Sequence, residues 1–382
     1  MKIKSLLLAS LLFIVELSYA NSYVCGTNID KLAQDTMQRN SVTGLSVAII
    51  DKDKAQYCNY GYNNKDKKQL MSQYSIFEIG SITKTFTGTL AAIASVEGKI
   101  NLLAPVNKYI ISLKDNTNFN KINTQHLLTH VSGLPSKINP AQKVIGESEL
   151  LTQLSKYKPF YLPQTVFQYS NLGITLAGLE LERVYHKSYQ QIFQDELLSK
   201  LNMRYTFFKV PQRYKHLLAT GYNTDNTIAA HDYLGVYLPS GALKSNAYDL
   251  SKYLKLQING STDKTINKAL QIIHKNYYCL GKNGEYHQQL VWEQIPYKDL
   301  DAHYNLESTI VVKSIKTPYT LATNCETYSD SLIEKTGNIS GASTYLAYIP
   351  NKKIGVVVLM NKSKVSDNVN LGRTILKAFA KK

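Results

Sequence analysis

Residues 77–86 read Phe-Glu-Ile-Gly-Ser-Ile-Thr-Lys-Thr-Phe, a stretch in which a strand pattern passes through a turn into a helix expected over residues 83–96. Positions three apart share one face of a helix, so we expect Lys84 to hold its amine near the Ser81 hydroxyl. A serine hydroxyl becomes a good nucleophile when a neighbouring base takes its proton, and the N–H groups at a helix start can polarise a carbonyl. Alone, the pattern is equally typical of a capping serine followed by a solvated lysine.

A second polar motif, Tyr169-Ser170-Asn171, stands directly before a helix expected over residues 172–184. Short polar side chains at such a position commonly cap a helix by accepting hydrogen bonds from its first N–H groups. Taken alone, the motif predicts no more than a cap.

A third motif, Lys335-Thr336-Gly337-Asn338, leads into a strand expected over residues 343–350. Because glycine has no side chain, Gly337 would let a ligand lie close to a strand edge. A substrate amide or carboxylate could then pair with backbone groups there, as an added strand would. Alone, this motif is also typical of a surface turn.

Strand patterns occupy both ends of the chain, and helical patterns occupy its middle. Strands rich in Val, Ile, Thr and Tyr are expected over residues 44–50, 55–62, 308–313, 344–349 and 354–360. Helices are further expected over residues 30–39, 189–201, 247–256 and 369–380. This order indicates an α+β fold, with an antiparallel sheet built from N- and C-terminal strands and flanked by helices. A mostly helical region of about residues 85–225 is inserted, and residues 21–382 are expected to form one domain.

The composition is that of a folded protein with a strong positive charge. Hydrophobic residues make up 44% of the 382 residues and charged residues 19%, which excludes a disordered chain. The net charge of +16 would suit an acidic partner, but the lysines are scattered, without an arginine-rich run or a zinc knuckle, so no nucleic-acid partner is predicted. His126 and His130 have a metal-like spacing, yet no third ligand is apparent, so neither metal nor cofactor is predicted.

The N-terminus has the layout of a secretory signal peptide. Lys2 and Lys4 precede an apolar run over residues 6–15, and Ser18-Tyr19-Ala20 offers small residues at a cleavage site. The run is too short to span a bilayer, and no later segment reaches about eighteen apolar residues, so no transmembrane segment is expected after cleavage. We therefore predict export to the periplasm with residues 1–20 removed. A buried core helix is the alternative interpretation.

Four cysteines follow this segment, at positions 25, 58, 279 and 325. An even number in an exported protein fits disulfides, and four cysteines allow three pairings. Pairs within one end of the chain, Cys25–Cys58 and Cys279–Cys325, are favoured. Four buried free thiols are the alternative.

Taken together and in this order, the three motifs resemble those of the penicillin-recognising serine enzymes, namely Ser-x-x-Lys, Ser/Tyr-x-Asn and Lys-Thr-Gly. The chain is similar to class C (AmpC-type) serine β-lactamases, within the family of serine β-lactamases and D-Ala-D-Ala carboxypeptidases, from about Gly44 to its C-terminus. Tyr169 in place of serine is the class C and carboxypeptidase pattern, and no Glu-x-x-Leu-Asn motif of class A enzymes follows it. Residues 126–135, 239–245, 289–293 and 354–362 add to the resemblance.

The resemblance implies a secreted hydrolase in which Ser81 attacks a lactam carbonyl and forms an acyl-enzyme. Tyr169, flanked by Lys84 and Lys335, would relay protons, because nearby cations favour its phenolate form. The backbone N–H groups of Ser81 and Asn338 would form the oxyanion hole.

The resemblance also implies the substrate contacts. Asn171 would hold the side-chain amide of the substrate, Lys335 and Thr336 would meet its carboxylate, and Gly337 would let it lie along the strand. Lys137 departs from the class C pattern, in which a glutamine usually helps to bind the side-chain amide. This difference leaves the range of substrates open.

Three other functions remain open at this point. A D-Ala-D-Ala carboxypeptidase or endopeptidase acting on peptidoglycan would use the same nucleophile, and a carboxylesterase could share the fold. A non-catalytic envelope-binding module would predict decay of the motifs, whereas Ser81, Lys84, Tyr169 and Lys335 are all present. The expected partner is therefore a small β-lactam or a peptidoglycan-derived substrate, bound by a monomer.

Overall fold

The computed structural model describes residues 25–138, 146–231, 234–298 and 310–381. The predicted signal peptide over residues 1–20 lies outside the described residues. The helices are α1 (Thr27–Arg39), α2 (Thr83–Val96), α3 (Val106–Tyr109), α4 (Thr124–Leu128), α5 (Glu147–Ser155), α6 (Asn171–Tyr185), α7 (Tyr189–Phe193), α8 (Leu238–Gly241), α9 (Ala247–Asn259), α10 (Lys264–Ile273), α11 (Ile310–Lys316) and α12 (Asp367–Ala380). The strands are β1 (Gly44–Asp51), β2 (Lys54–Asn64), β3 (Gln69–Leu70), β4 (Phe77–Glu78), β5 (Val166–Phe167), β6 (Lys244–Ser245), β7 (Tyr278–Leu280), β8 (Tyr286–Gln288), β9 (Glu293–Pro296), β10 (Tyr319–Thr320), β11 (Ser331–Ile339), β12 (Ala342–Ile349) and β13 (Ile354–Met360).

The scaffold of the described residues is an antiparallel sheet of nine strands in the order β3-β2-β1-β13-β12-β11-β9-β8-β7. Strand β1 pairs with β13, so that Leu45 lies opposite Met360 and the N-terminal hairpin joins the C-terminal strands. Strand β11 pairs with β12, so that Gly337 lies opposite Thr344. Strands β12 and β13 are buried along their whole length, which is why they read as mostly apolar runs rather than as alternating patterns.

Helices cover both faces of this sheet. On one face, α2, α9 and α10 enclose the larger core, in which the rings of Phe86 and Tyr253 stack with centroids 3.8 Å apart. On the other face, α1 and α12 pack over a second core that includes Val47 and Val358. Among the described helices, none is both long and apolar enough to cross a membrane.

The α+β fold class predicted from the sequence is confirmed, and the predicted helix over residues 83–96 is α2. The strand predicted over residues 308–313 is wrong, because its described part belongs to helix α11. Val and Ile favour strands chiefly through their packing neighbours, so tertiary contacts can override the preference. Here the helix brings the Ser314 hydroxyl to accept a hydrogen bond from the backbone N–H of Tyr169, with 3.0 Å between N and Oγ.

Both favoured cysteine pairs are bonded. Cys25–Cys58 ties the segment before α1 to β2, and Cys279–Cys325 ties β7 to the segment before β11. Cross-links over 33 and 46 residues restrict the unfolded chain and typically stabilise a fold by about 2–4 kcal/mol each. His287 lies beside the second pair, but the two sulfurs are bonded to each other and offer no free thiolates to a metal.

A buried ion pair anchors the C-terminal helix to the central sheet. Arg373 of α12 donates from Nη2 to Oε1 of Glu334 at 2.6 Å and from Nε to Oε2 at 3.2 Å. The hydroxyl of Tyr345 donates to the same carboxylate. Breaking such a buried pair typically costs about 3–5 kcal/mol. The pair therefore helps to fix β11, in which the motif Lys335-Thr336-Gly337-Asn338 begins directly after Glu334.

Glu180 of α6 is a fully buried carboxyl group, and among the described residues neither of its oxygens has a partner in hydrogen-bonding geometry. Burial raises the pKa of Glu180 well above its usual range, more than the nearby Thr124 hydroxyl lowers it. The folded protein therefore keeps a proton that the unfolded chain releases above about pH 4.3. The free energy of unfolding must fall as the pH rises from there towards the folded-state pKa, by up to about 1.4 kcal/mol per pH unit.

Glu180→Gln should remove this pH-dependent loss of stability, because the amide is close in shape to the protonated acid and does not ionise. We expect the variant to gain free energy of unfolding over the parent progressively between pH 5 and pH 8, measured by urea unfolding at each pH. Glu149→Gln makes the same chemical change at an exposed position of α5 and serves as the control for the substitution itself. A flat difference for Glu180→Gln would contradict the buried neutral acid.

Candidate active site

Ser81 lies in the tight turn Gly80–Ile82, which leads directly into α2. Lys84 is the second residue of α2, and its Nζ donates to Oγ of Ser81 at 3.0 Å and to the backbone carbonyl oxygen of Ser240 at 2.5 Å. The Lys84 side chain is almost fully buried. The structure therefore brings the amine against the hydroxyl, as the helical spacing predicts.

Strand β11 passes close beside this turn because two glycines keep side chains out of the contact. A Cβ on Gly337 would lie 2.1 Å from the carbonyl oxygen of Ile79. A Cβ on Gly80 would lie 3.0–3.1 Å from backbone atoms of Asn338, and Gly80 also has a φ of +50°. The backbone at Asn338 therefore lies next to Ser81.

Tyr169 stands just before α6, and its side chain is held between two lysines. The Nζ atoms of Lys84 and Lys335 lie 5.0 Å and 5.4 Å from the centroid of its ring. Its backbone N–H donates to Ser314, and its ring contacts that of His130 at a centroid distance of 4.4 Å. The phenol is buried, so its protonation depends on these neighbours.

The two lysines change the proton affinity of the phenol. Burial alone would raise the pKa of Tyr169, but the positive charges of Lys84 and Lys335 outweigh it, and the pKa of the phenol is lowered. Burial also lowers the pKa of Lys84, with Lys335 acting in the same direction and Tyr169 opposing. Either group can release its proton closer to neutral pH than an exposed Tyr or Lys would, which a base for Ser81 requires.

Lys335 is the fixed positive charge of the site. Its Nζ donates to Oε1 of Glu293 at 2.6 Å, and its side chain is 1% exposed. Burial would lower the pKa of Lys335, but Glu293 and Tyr169 outweigh it and raise that pKa above its usual range. Lys335 therefore stays protonated beside the nucleophile.

His126 and His130, the two histidines with metal-like spacing, accept hydrogen bonds from backbone N–H groups near α4 and α6. Nδ1 of His130 accepts a hydrogen bond from the N–H of Ser170 at 3.2 Å, and Nδ1 of His126 accepts one from the N–H of Asn123 at 3.3 Å. Burial, reinforced by the two lysines of the site, holds the pKa of His130 well below its usual range. His130 is therefore a neutral ring that packs against the phenol.

The residues predicted to bind substrate stand next to the candidate catalytic residues, at the start of α6 and on β11. Asn171 begins α6, and its Nδ2 donates to Oγ of Ser136 at 2.9 Å. Thr336 is partly exposed on β11, between the buried lysine and the glycine of its motif. Lys137 follows Ser136 along the chain, and its Nζ lies 5.9 Å from the centroid of the Tyr237 ring.

Three groups of the site were missed by sequence reasoning, namely the Ser240 carbonyl, the Glu293 carboxylate and the His130 ring. All three lie in stretches that carry the resemblance, but no local spacing assigns them a role. Glu293 and Ser240 contact residues that are 42 and 156 positions away along the chain. Only the folded chain brings these partners together.

Comparison with known proteins places the chain in a family. A family model described as Beta-lactamase matches residues 29–379, so the chain belongs to the β-lactamase family. A β-lactamase of Pseudomonas fluorescens is 32% identical over 362 residues, which cover 92% of this chain and 98% of that protein. A β-lactamase of Escherichia coli (strain K12) is 28% identical, with 86% of each chain covered.

Solved structures agree with this membership. A β-lactamase/D-alanine carboxypeptidase from Pseudomonas syringae superposes with a TM-score of 0.83 at 30% identity, covering 92% of this chain and 99% of that one. A class C β-lactamase in complex with cefoxitin gives 0.80 at 28% identity, covering 92% and 97%. The resemblance to class C enzymes is confirmed, and the chain is a hydrolytic enzyme of this family.

Proposed function

We propose that the protein is an exported class C-type serine β-lactamase that opens β-lactam rings through an acyl-enzyme on Ser81. The observation that carries this proposal is the convergence of four side chains. Lys84 Nζ lies 3.0 Å from Ser81 Oγ, and the Tyr169 ring lies between Lys84 and Lys335. A hydroxyl beside buried groups of lowered pKa is the arrangement that nucleophilic catalysis requires.

In acylation, Oγ of Ser81 bonds to the lactam carbonyl carbon and loses its proton to Lys84 or Tyr169. The carbon–nitrogen bond of the ring breaks, and the same proton passes to the leaving nitrogen. The result is an ester on Ser81. Because Lys84 and Tyr169 are both buried, this proton can travel within the site instead of exchanging with bulk water.

Backbone and side-chain donors would hold the substrate during this step. The N–H groups of Ser81 and Asn338 are proposed as the oxyanion hole, since β11 lies directly against the Ser81 turn. Loss of one such donor typically raises the barrier by about 3–4 kcal/mol. Lys335 and Thr336 would bind the substrate carboxylate, and Asn171 would bind the side-chain amide.

Hydrolysis of the ester would complete the cycle. Tyr169 would take a proton from a water molecule, which attacks the ester carbonyl, and that proton returns to Oγ of Ser81 as the ester bond breaks. One water is consumed for each ring opened. The proposed steps use the nucleophile, the two lysines and the phenol.

A second candidate is a D-Ala-D-Ala carboxypeptidase with the same acylation step. It is favoured by the similar Pseudomonas syringae protein, which is described as both a β-lactamase and a D-alanine carboxypeptidase. The two functions differ in how fast water releases the acyl group.

A chromogenic cephalosporin mixed with the mature protein tests the proposal when colour and intact mass are followed together. Repeated turnover with a transient adduct on Ser81 is the result that we expect for a β-lactamase. One stoichiometric, long-lived adduct would favour the carboxypeptidase. If neither a colour change nor an adduct appears, both functions are contradicted.

Lys335→Met tests the electrostatic role of the two lysines. The methionine removes the positive charge of Lys335 and leaves Tyr169 with one neighbouring cation instead of two. The pKa of the phenol should therefore rise. If catalysis needs deprotonated Tyr169, activity appears as the pH rises through that pKa. The acidic limb of the kcat/KM profile should therefore move to higher pH, besides the loss expected from weaker carboxylate binding. A lower rate with an unmoved limb would contradict the role of Lys335 in lowering the phenol pKa.

We further propose that one catalytic domain over residues 21–382 acts as a monomer in the periplasm. Export is supported by the signal-peptide pattern and by the two disulfides, which persist in oxidising compartments. N-terminal sequencing of protein released by osmotic shock should begin at Asn21, and light scattering should give the monomer mass. A cytoplasmic protein that retains residues 1–20 would contradict export.

A further inference from the structure

Two segments contact Lys84, whose amine lies against the Ser81 hydroxyl. One contains Tyr169 and Asn171, whose side-chain amide is bonded to Ser136. The other contains Tyr237 and Ser240, where the Ser240 hydroxyl donates to the Tyr237 carbonyl oxygen at 2.8 Å and the Ser240 carbonyl accepts from Lys84. A residue that links these two segments therefore lies in the neighbourhood of Lys84 and the nucleophile.

Lys137 is that residue. It directly follows Ser136, and its ammonium group lies 5.9 Å from the centroid of the Tyr237 ring, at the outer limit of a cation–π contact. Its side chain is only partly exposed. Among the described residues, no carboxylate lies within 4 Å of its ammonium group. The site therefore has a positive charge here whose partner among the described residues is the aromatic face of Tyr237.

Lys335 and Lys137 stand next to groups that are proposed to bind different parts of the substrate. Lys335 lies on β11, where the substrate carboxylate is proposed to bind, and its charge is balanced in part by Glu293. Lys137 directly follows Ser136, the hydrogen-bond partner of Asn171, and Asn171 is proposed to bind the side-chain amide of the substrate. A substrate that spans both positions meets one cation at each end. A second anionic group on its side chain would lie near Lys137.

We propose that Lys137 is a specificity-determining residue that favours β-lactams carrying a carboxylate on the acylamino side chain. This inference rests on the proposed function, because it concerns the same acylation site. Exposed charge pairs are typically worth less than about 1 kcal/mol, which corresponds to about fivefold in kcat/KM. Partial burial of Lys137 should bring the effect to the upper end of that range, and added salt should reduce it.

Benzylpenicillin and α-carboxybenzylpenicillin form a matched pair of probes, because they differ by one side-chain carboxylate. The measured quantity is the ratio of kcat/KM for the carboxylated compound to that for the neutral one. Lys137→Gln should lower this ratio about three- to fivefold, and Lys137→Glu should lower it about tenfold or more. For the parent, the ratio should also fall between 20 mM and 500 mM NaCl, and for Lys137→Gln it should not.

Lys54→Gln is the matched control, since it removes an exposed lysine at the start of β2. It should leave the ratio unchanged. If the enzyme acylates but releases product slowly, the same ratio is taken from the acylation rates measured by intact mass.

Failure of the inference can be told from failure of the proposed function. If the parent handles both penicillins and Lys137→Gln leaves their ratio unchanged, the role of Lys137 is wrong and the β-lactamase assignment stands. An equal loss for both penicillins in Lys137→Gln also overturns the inference, because it indicates a general contact. If neither penicillin reacts with the parent, the proposed function fails, and the inference fails with it.

Discussion

Ser81→Ala is expected to lower kcat for β-lactam hydrolysis by about 10⁵- to 10⁶-fold, as happens when the serine of a catalytic unit is removed. Oγ is the atom that would bond to the acyl carbon, so its loss removes the covalent intermediate altogether. The amine of Lys84, 3.0 Å from Oγ in the parent, then has no hydroxyl to deprotonate. A residual rate would come from substrate binding and the oxyanion hole.

The measurement combines hydrolysis of a chromogenic cephalosporin with intact mass, in which the acyl adduct should disappear. Ser148→Ala makes the same chemical change at an exposed position of α5 and should keep the parental rate. Lys84 retains the Ser240 carbonyl as a partner in Ser81→Ala, so the thermal midpoint should stay close to that of the parent. Turnover by Ser81→Ala within tenfold of the parent would exclude Ser81 as the nucleophile.

The local geometry of the site was predictable because short-range spacing determines it. Lys84 follows Ser81 by three positions, and a helix places such residues on one face. Tyr169 and Asn171 were expected at a helix start, and α6 begins at Asn171 with Ser170 as its cap. The α+β fold was predictable in the same way, since the strands β1 and β13 are apolar runs.

The remaining parts of the site depend on contacts that no local pattern encodes. Glu293 reaches Lys335 only because β9 and β11 are neighbours in the sheet. His130 reaches Tyr169 through the loop after α4. The strand prediction over residues 308–313 failed for the same reason. The strand preferences of Ile and Val are outweighed by the tertiary contacts of helix α11, which is hydrogen-bonded to the backbone of Tyr169.

Gly337→Ala is the second variant with a large expected effect, a loss of about 10²- to 10³-fold in kcat/KM, the size of the loss of one oxyanion donor. The added Cβ would lie 2.1 Å from the carbonyl oxygen of Ile79 and 2.3 Å from Oγ1 of Thr344. The Ile79 oxygen belongs to the backbone, and Oγ1 of Thr344 donates a hydrogen bond to it at 3.0 Å, so a shift of either neighbour disrupts this contact. Strand β11 must therefore move away from the Ser81 turn and take the N–H of Asn338 with it.

A graded series of Gly→Ala variants separates this cause from a general loss of stability. Gly80→Ala approaches Asn338 from the other side at 3.0–3.1 Å and should cost less activity than Gly337→Ala. Gly146→Ala adds a Cβ in open space at a φ of −81° and should cost none. Thermal unfolding of all three variants shows which of them remain folded at the assay temperature. If folded Gly337→Ala keeps kcat/KM within twofold of the parent, close packing of β11 against the Ser81 turn does not build the oxyanion hole.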